Sequence, residues 1–176
     1  MKKYMLLLLA LALLFCAAAS AETAVVEGAA KEFEVTLVVP EGYAKTESKT
    51  GNVNYIYLET ESADAPDYTI TIAYSEAYAG LTLNELSDAD KQLLLETMDD
   101  DFVEPDVTSL TTEHGTEVYM LNEAAKDSAS SFASGFSVYK GYFVQIYAAK
   151  PNYQRIEQAD IDLAIKILSD MWFVDK

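Results

Sequence analysis

The sequence is poor in the residues that most often carry enzymatic chemistry. It has one cysteine, Cys16, and one histidine, His114. Cys16 lies in an apolar N-terminal segment, and loss of that segment would leave no disulfide, no thiol catalysis and no thiolate metal site. A single histidine cannot build a multi-histidine metal centre. We expect His114, which precedes Gly115, to lie in a hairpin turn.

Catalytic and phosphate-binding motifs are also missing from the sequence. The chain has neither G-x-x-x-x-G-K-[ST] nor G-x-G-x-x-G, and its nearest approach to G-x-S-x-G, at residues 133–137, lacks the required glycines. Two carboxylates could still act as acid and base. With 29 acidic residues, however, the sequence cannot identify such a pair. We therefore expect no enzyme, and keep a hydrolase that uses paired carboxylates as an alternative.

Positive charge is scarce as well. Twelve basic residues stand against 29 acidic ones, which gives a formal net charge of −17, and Arg155 is the only arginine. Such a field repels nucleic acid phosphates and anionic lipid head groups, attracts cations and favours solubility. We therefore expect no nucleic-acid partner.

The N-terminus has the features of a secretory signal peptide. Lys2 and Lys3 precede an apolar run that ends in an A-x-A site at residues 19–21. Cleavage is predicted after Ala21, so residues 1–21 form the signal peptide and the protein is exported. The apolar run is too short to span a bilayer, and no stable membrane span remains after cleavage. A lipoprotein signal at Cys16 is the less favoured alternative, because Phe15 stands where such signals carry a small residue.

The mature chain is long enough for one domain with its own core. Residues 22–32 are small and polar and are predicted to form a tether, followed by a single domain at 33–176. Alternating apolar and polar residues predict strands at 33–39, 53–59, 68–74, 107–112, 116–121, 131–139 and 142–149. Of the tight turns between them, Lys140-Gly141 is the best hairpin signal.

Two segments have helical periodicity instead. Leu86, Leu93, Leu94 and Met98 follow helical spacing, and Pro105 marks the latest end of that helix. A wider apolar stripe between 156 and 171 predicts a C-terminal helix, which the apolar segment 171–174 completes. The element order is typical of an α+β fold: an antiparallel β-sheet of about six to seven strands packed with two main α-helices.

This element order, with the pattern F-x-V-x-L-x-V-P-E-G-Y at residues 33–43, resembles the PsbP-like fold group, which includes bacterial exported proteins of the DcrB and LpqN type. The resemblance covers residues 33–174 and implies a PsbP-like sandwich. It also implies a binding or assembly role, since the group is mostly non-enzymatic. Fold likeness alone does not assign a function.

The densest cluster of acids lies at residues 96–106, ETMDDDFVEPD. Asp99, Asp101, Glu104 and Asp106 are candidate ligands for a divalent cation such as Ca²⁺. The stretch lacks the glycine that calcium loops use to turn sharply, and like charges at a helix C-terminus are unfavourable. We therefore favour a solvated helix exit and expect no cofactor, with Ca²⁺ binding as the alternative.

Tyrosine is the abundant aromatic residue, and Tyr55 and Tyr57 share one face of a predicted strand. Strands favour aromatic residues for packing, and tyrosine is also enriched at interfaces. Packing is the favoured explanation, and a partner surface at Tyr55 and Tyr57 is the alternative. Taken together, the sequence predicts an exported, non-catalytic binding or assembly module for an unknown protein or small ligand. A cation-binding acidic protein and a hydrolase are the alternatives.

Overall fold

The computed structural model describes residues 21–27, 32–98, 106–112, 117–124, 131–151 and 154–175. Within these ranges the chain forms ten strands, two α-helices and two short 3-10 helices. The strands are β1 (Ala21–Glu27), β2 (Glu32–Val38), β3 (Tyr43–Thr50), β4 (Val53–Thr60), β5 (Asp67–Tyr74), β6 (Asp106–Thr111), β7 (Glu117–Ala124), β8 (Ser131–Tyr139), β9 (Tyr142–Ala149) and β10 (Trp172–Asp175). The helices are α1 (Asp88–Met98) and α2 (Gln158–Asp170), and the 3-10 helices are Glu76–Tyr78 and Leu83–Glu85.

Seven strands form one antiparallel sheet in the order β3-β4-β5-β9-β8-β7-β6, and three form a smaller sheet in the order β1-β2-β10. The predicted α+β class, with a seven-stranded antiparallel sheet and two helices, is confirmed. The small sheet is an additional element that the sequence did not predict.

The core lies on one face of the large sheet, which we call the inner face. Even-numbered apolar residues of β4, β5 and β9 point to it, since side chains alternate along a strand. They meet β2 and the apolar stripe of α2, and this core includes Val35, Leu37, Ile56, Leu58, Tyr68, Ile70, Ile72, Val144, Ile146, Ile161, Ala164, Ile167 and Leu168. The apolar residues with strand spacing and those with helical spacing therefore pack together in one core.

The hairpin between β8 and β9 is confirmed at Lys140-Gly141. Lys140 has φ 47° and Gly141 has φ 94°, and two positive φ values are the mark of the type I′ turn that suits a two-residue hairpin. Tyr139 pairs with Tyr142 directly across the turn. The turn thus places the two central strands in register.

The C-terminal apolar segment differs from its prediction as the end of a helix. Helix α2 ends at Asp170, Met171 adopts an extended backbone, and residues 172–175 form β10. This strand pairs with β2, with Phe173 opposite Val35. The reason is that β2 offers a free backbone edge, and pairing with it satisfies backbone groups that a longer helix would leave at the surface.

The predicted tether at 22–32 was wrong for most of its length. Residues 21–27 form β1, which pairs along its whole length with β2, Ala24 lying opposite Val35. The second edge of β2 is available to this segment, and its adjacent Val25 and Val26 are β-branched and favour a strand. The predicted cleavage after Ala21 falls one residue into β1. Residues 1–20 and the rest of the predicted tether, 28–31, lie outside the described part of the chain.

Strand β3 was not predicted. Its sequence YAKTESKT is polar on both faces and therefore has no hydrophobic alternation. It is the edge strand of the large sheet and has one neighbour, β4. Charged residues such as Lys45, Glu47 and Lys49 are typical of edge strands, where they discourage pairing with other chains.

Candidate functional site

The second face of the large sheet, the outer face, is only partly covered by the helices described. The second 3-10 helix places Leu83 and Leu86 on Phe136 and Val138 of β8, and the side of α1 packs against the same cluster. This cover is anchored at β7 by an ion pair between Lys91 and Glu117 at 3.0 Å. It lies over β7, β8 and Phe143 of β9. Within the described residues, the rest of the face, formed by β3, β4, β5 and β9, has no such cover.

In that part of the face, two register rows cross four neighbouring strands. The first row is Thr46, Tyr57, Thr69 and Tyr147, and the second is Ser48, Tyr55, Thr71 and Gln145. We call these eight residues the tyrosine–threonine face. Every side chain in it carries a hydroxyl or an amide group, and none carries a charge. In a chain with 29 acidic residues, an uncharged surface of this size is distinctive.

The structure places Tyr55 and Tyr57, the predicted partner surface, side by side on this face. Their ring centroids are 6.1 Å apart and their planes are 11° apart. Both rings are half-buried, and Tyr147 is 37% exposed. The Tyr57 hydroxyl lies 3.4 Å from Ser48 Oγ, which shows that this ring leans towards β3. The two tyrosines therefore belong to a surface rather than to the core.

From strand order and side-chain size we infer that the tyrosine–threonine face forms a shallow groove along β5. Strand β5 lies between β4 and β9, and neighbouring strands are about 4.8 Å apart, so the side chains of β4 and β9 stand about 10 Å from each other. Thr69 and Thr71 are the short side chains between them and form the floor. Tyr57 leans away from this floor, and both threonines are partly exposed.

Among the described residues of these four strands, the charged side chains that continue the two rows lie at one end of the groove. Glu59 and Asp67 lie on the same face as Tyr57 and Thr69, each two residues away along its strand and at the same end of the rows. Asp67 Oδ1 accepts a hydrogen bond from the backbone N–H of Thr60 at 3.0 Å. Acidic groups thus flank the uncharged rows without entering them.

The inner side of β5 is fixed by buried polar contacts. The Tyr68 hydroxyl donates to the carbonyl oxygen of Asp160 at 3.0 Å, and the Tyr43 hydroxyl donates to that of Pro66 at 2.9 Å. Burial raises the pKa of both phenols, and the neighbouring Asp160 acts in the same direction. Tyr68 therefore stays neutral and holds β5 against α2. The strand that forms the floor of the groove is therefore packed and hydrogen-bonded on its other side.

The predicted cation ligands are not brought together among the described residues. Asp99, Asp101 and Glu104 lie outside the described residues, and Asp106 is the first residue of β6, opposite Asn122. The described ranges contain no group of three acidic, histidine or cysteine side chains that could hold a metal ion. Calcium binding by the acidic stretch stays a prediction.

The hydrolase alternative would need two carboxylates in a pocket. One cavity beneath α2 has a volume of about 10 Å³, which is room for roughly one water molecule. Its lining is Val118, Ser137, Val144, Leu168, Met171 and Phe173, without an acid. His114 and Cys16 lie outside the described part of the chain.

The sequence contained part of the signal for the groove. The alternation in β4 and β5 put Tyr55 with Tyr57 and Thr69 with Thr71 on common faces. Tyr147 and Gln145 were missed because their distance in sequence from β4 and β5 hides their proximity. Only the pairing of β5 with β9 brings them beside the threonines.

Comparison with known proteins finds likeness among solved structures. No family model and no curated protein matches the chain. The solution structure of cyanobacterial PsbP from Synechocystis is similar, with a TM-score of 0.47 and 12% sequence identity, over 90% of this chain and 95% of that one. The α+β description given above rests on the strand register and helix packing. In the described ranges, neither helix has the length and apolar character needed to cross a bilayer.

Proposed function

We propose that this chain is an exported, non-catalytic binding module and that the tyrosine–threonine face is its binding surface. One observation carries the proposal: eight uncharged hydrogen-bonding side chains line two adjacent rows of an otherwise acidic molecule. Export rests on the signal sequence, and a place among the exported DcrB- and LpqN-type proteins of the PsbP-like group is part of the same proposal.

Tyrosine suits such a surface for physical reasons. Its ring offers a large apolar area, its hydroxyl keeps a hydrogen-bonding group at the rim, and few torsions are frozen on binding. The parallel rings of Tyr55 and Tyr57 are held in place by strand β4 and by each other. A ligand would therefore meet a preorganised surface, which lowers the entropic cost of association.

The test is a thermal-unfolding panel on residues 22–176 with four probe classes: divalent cations, sugars, short peptides and lipids. We expect at least one of the last three classes to raise the midpoint of the wild type, and the Tyr55→Ser/Tyr57→Ser variant to lose that rise. A rise that persists in the double variant would place the site elsewhere. No rise with any class would contradict a binding role.

A matched control is available on the inner side of the sheet. Tyr139 is also a partly exposed, stacked tyrosine, whose ring lies 4.4 Å from that of Phe173. Tyr139→Ser should lower the midpoint of the free protein and leave the ligand-induced rise intact. The calcium arm tests the cation alternative by itself, since no rise at millimolar calcium would rule out a stabilising site in the acidic stretch.

A further inference from the structure

The groove of the tyrosine–threonine face has walls and a floor of specific chemistry. We propose that it binds an uncharged polysaccharide chain that lies along β5, between the tyrosines of β4 and Tyr147 of β9. The inference rests on the proposed function and adds the class of ligand. It follows from the charge of the molecule, the hydrogen-bonding groups of the face and the position of its rings.

Charge selects a neutral ligand. The net charge of −17 repels anionic polymers, and Glu59 and Asp67 strengthen that field at one end of the groove. A cationic ligand would meet no carboxylate along the two rows themselves. A neutral chain can occupy the rows without desolvating a charge.

The hydrogen-bonding groups select a hydroxyl-rich ligand. Each threonine, serine and tyrosine hydroxyl can donate and accept, and Gln145 offers both an acceptor and donors. Sugar hydroxyls have the same dual capacity, so a saccharide can satisfy these groups as water does. An acyl chain would leave the hydroxyls of Thr69 and Thr71 buried and unpaired, which costs about 1–3 kcal/mol for each group. The face therefore disfavours a lipid.

The rings complete the match. The C–H faces of a sugar ring are apolar and pack against aromatic rings, while the tyrosine hydroxyls stay at the polar edge. A protein partner is less favoured by this composition: interface cores are enriched in Met and Arg as well as aromatics and are depleted in Ser. The two rows hold no Met, no Arg and no aliphatic side chain.

The lean of Tyr57 leaves the floor accessible along the strand direction. Its hydroxyl is at Ser48 on the β3 side, so the ring does not lie across β5. Thr69 and Thr71 stand two residues apart, about 6.8 Å along the strand. Their hydroxyls are therefore placed to contact successive parts of one extended chain.

The experiment is native affinity electrophoresis of residues 22–176 through gels that contain soluble neutral polysaccharides, namely hydroxyethylcellulose, glycol chitin in its N-acetylated form, mixed-linkage β-glucan and dextran. Alginate serves as the anionic comparison. We expect retardation by at least one neutral polymer, none by alginate, and little change between low and high salt.

Two nearly isosteric variants locate the site. Thr69→Val/Thr71→Val removes the floor hydroxyls with little change of shape and should weaken retardation at least tenfold. Thr36→Val, on β2 of the small sheet, is the matched control and should bind as the wild type does. Equal retardation of all three proteins would overturn the assignment to the groove.

A parallel screen with a library of displayed peptides distinguishes failure of the polysaccharide proposal from failure of the proposed binding function. No retardation by any neutral polymer overturns the polysaccharide proposal. If a peptide then binds the wild type but not Tyr55→Ser/Tyr57→Ser, the binding module stands with a different ligand. If neither polymers nor peptides bind, the proposed function fails too.

Discussion

Lys150 Nζ lies 2.8 Å from Asp160 Oδ2, and the two side chains are only 6% and 13% exposed. Lys150 directly follows β9, and Asp160 belongs to the first turn of α2. The same carboxylate oxygen accepts the backbone N–H of Glu157 at 2.7 Å as one half of a capping box. One side chain therefore begins the helix and also fastens it to the large sheet.

Replacing Lys150 should be costly. Lys150→Met leaves the Asp160 carboxylate buried without its cation, and breaking a buried pair in this way costs about 3–5 kcal/mol. Lys166→Met is the matched control, because the Lys166–Asp170 pair is exposed on α2, with 65% of the lysine side chain accessible. That change should cost about 0–1 kcal/mol. Urea denaturation measures the free energy of unfolding of both variants. Equal losses would contradict a stabilising role for the buried Lys150–Asp160 ion pair.

The turn glycine of the β8–β9 hairpin should be irreplaceable. In Gly141→Ala the new Cβ would lie 2.9 Å from a Tyr74 ring carbon and 3.0 Å from Ala79 Cα, at φ +94°. Gly51 also has a positive φ, but its Cβ would meet nothing within 4 Å. Both changes carry about 1–2 kcal/mol of left-handed strain, and Gly141→Ala adds about 1–3 kcal/mol of overpacking.

Urea denaturation again distinguishes the two glycines. The free energy of unfolding should fall clearly more for Gly141→Ala than for Gly51→Ala. Similar losses would mean that the segment before α1, which contacts the turn through the Gly141 N–H and the Leu81 carbonyl at 3.1 Å, moves aside without cost.

Alkaline pH should weaken the contact between β5 and α2. Burial raises the pKa of Tyr68 above its ordinary value of 10.0. A raised folded-state pKa means that the stabilisation is complete below the unfolded-state value and is lost as the pH rises beyond it. We expect the wild type to lose stability as the pH rises above about 10, and Tyr68→Phe to lose less over the same range.

At neutral pH, Tyr68→Phe should itself cost about 1 kcal/mol, since the hydrogen bond to the Asp160 carbonyl is removed. Thermal unfolding at a series of pH values gives both effects. Tyr57→Phe, on the outer face, is the control for removal of a tyrosine hydroxyl that does not contact α2. If the stability of Tyr68→Phe fell with alkaline pH as steeply as that of the wild type, Tyr68 would not be the group responsible.

Acidic pH should release the capping box of the second 3-10 helix. The backbone N–H and the hydroxyl of Thr82 donate to Glu85 Oε2 at 2.8 and 2.9 Å, and they lower the pKa of Glu85 below its ordinary 4.5. This contribution is present above that value and disappears as the pH falls through the folded-state pKa. The stability difference between wild type and Glu85→Gln should therefore shrink as the pH falls below about 4.5.

The Thr82→Val background provides the control for this prediction. It removes the hydroxyl donor and keeps the backbone donor, so the effect of Glu85→Gln should become smaller without vanishing. A full effect in that background would show that the hydroxyl contributes nothing to the carboxylate.

Sequence patterns predicted the regular elements well where one face of a strand or helix is apolar. The alternation in β4, β5 and β9 and the stripe of α2 each follow from burial on one side. Strand β3 was not predicted because an edge strand with two polar faces has no alternation of apolar and polar residues. Strands β1 and β10 were missed because pairing with the backbone edges of β2 decides their conformation, and neither segment has a clear alternation of apolar and polar residues.

Only the pairs of the tyrosine–threonine face that lie within one strand could be predicted from the sequence. Tyr55 with Tyr57, and Thr69 with Thr71, share faces by the two-residue period of a strand. That β9 lies beside β5, with Tyr147 opposite Thr69, depends on long-range pairing. No local pattern contains that information, because register is decided by the joint burial of residues far apart in sequence.

By itself, the sequence determined the acidic character and the α+β class of this protein and predicted an export signal, because composition and hydrophobic period are local properties of the chain. The tertiary structure alone decided that tyrosines and threonines from four strands form one uncharged groove. It also decided that Lys150 is buried against Asp160. The groove and the Lys150–Asp160 contact both depend on the order of the strands and the position of α2. These are fixed only when apolar faces that are far apart in sequence pack into one core.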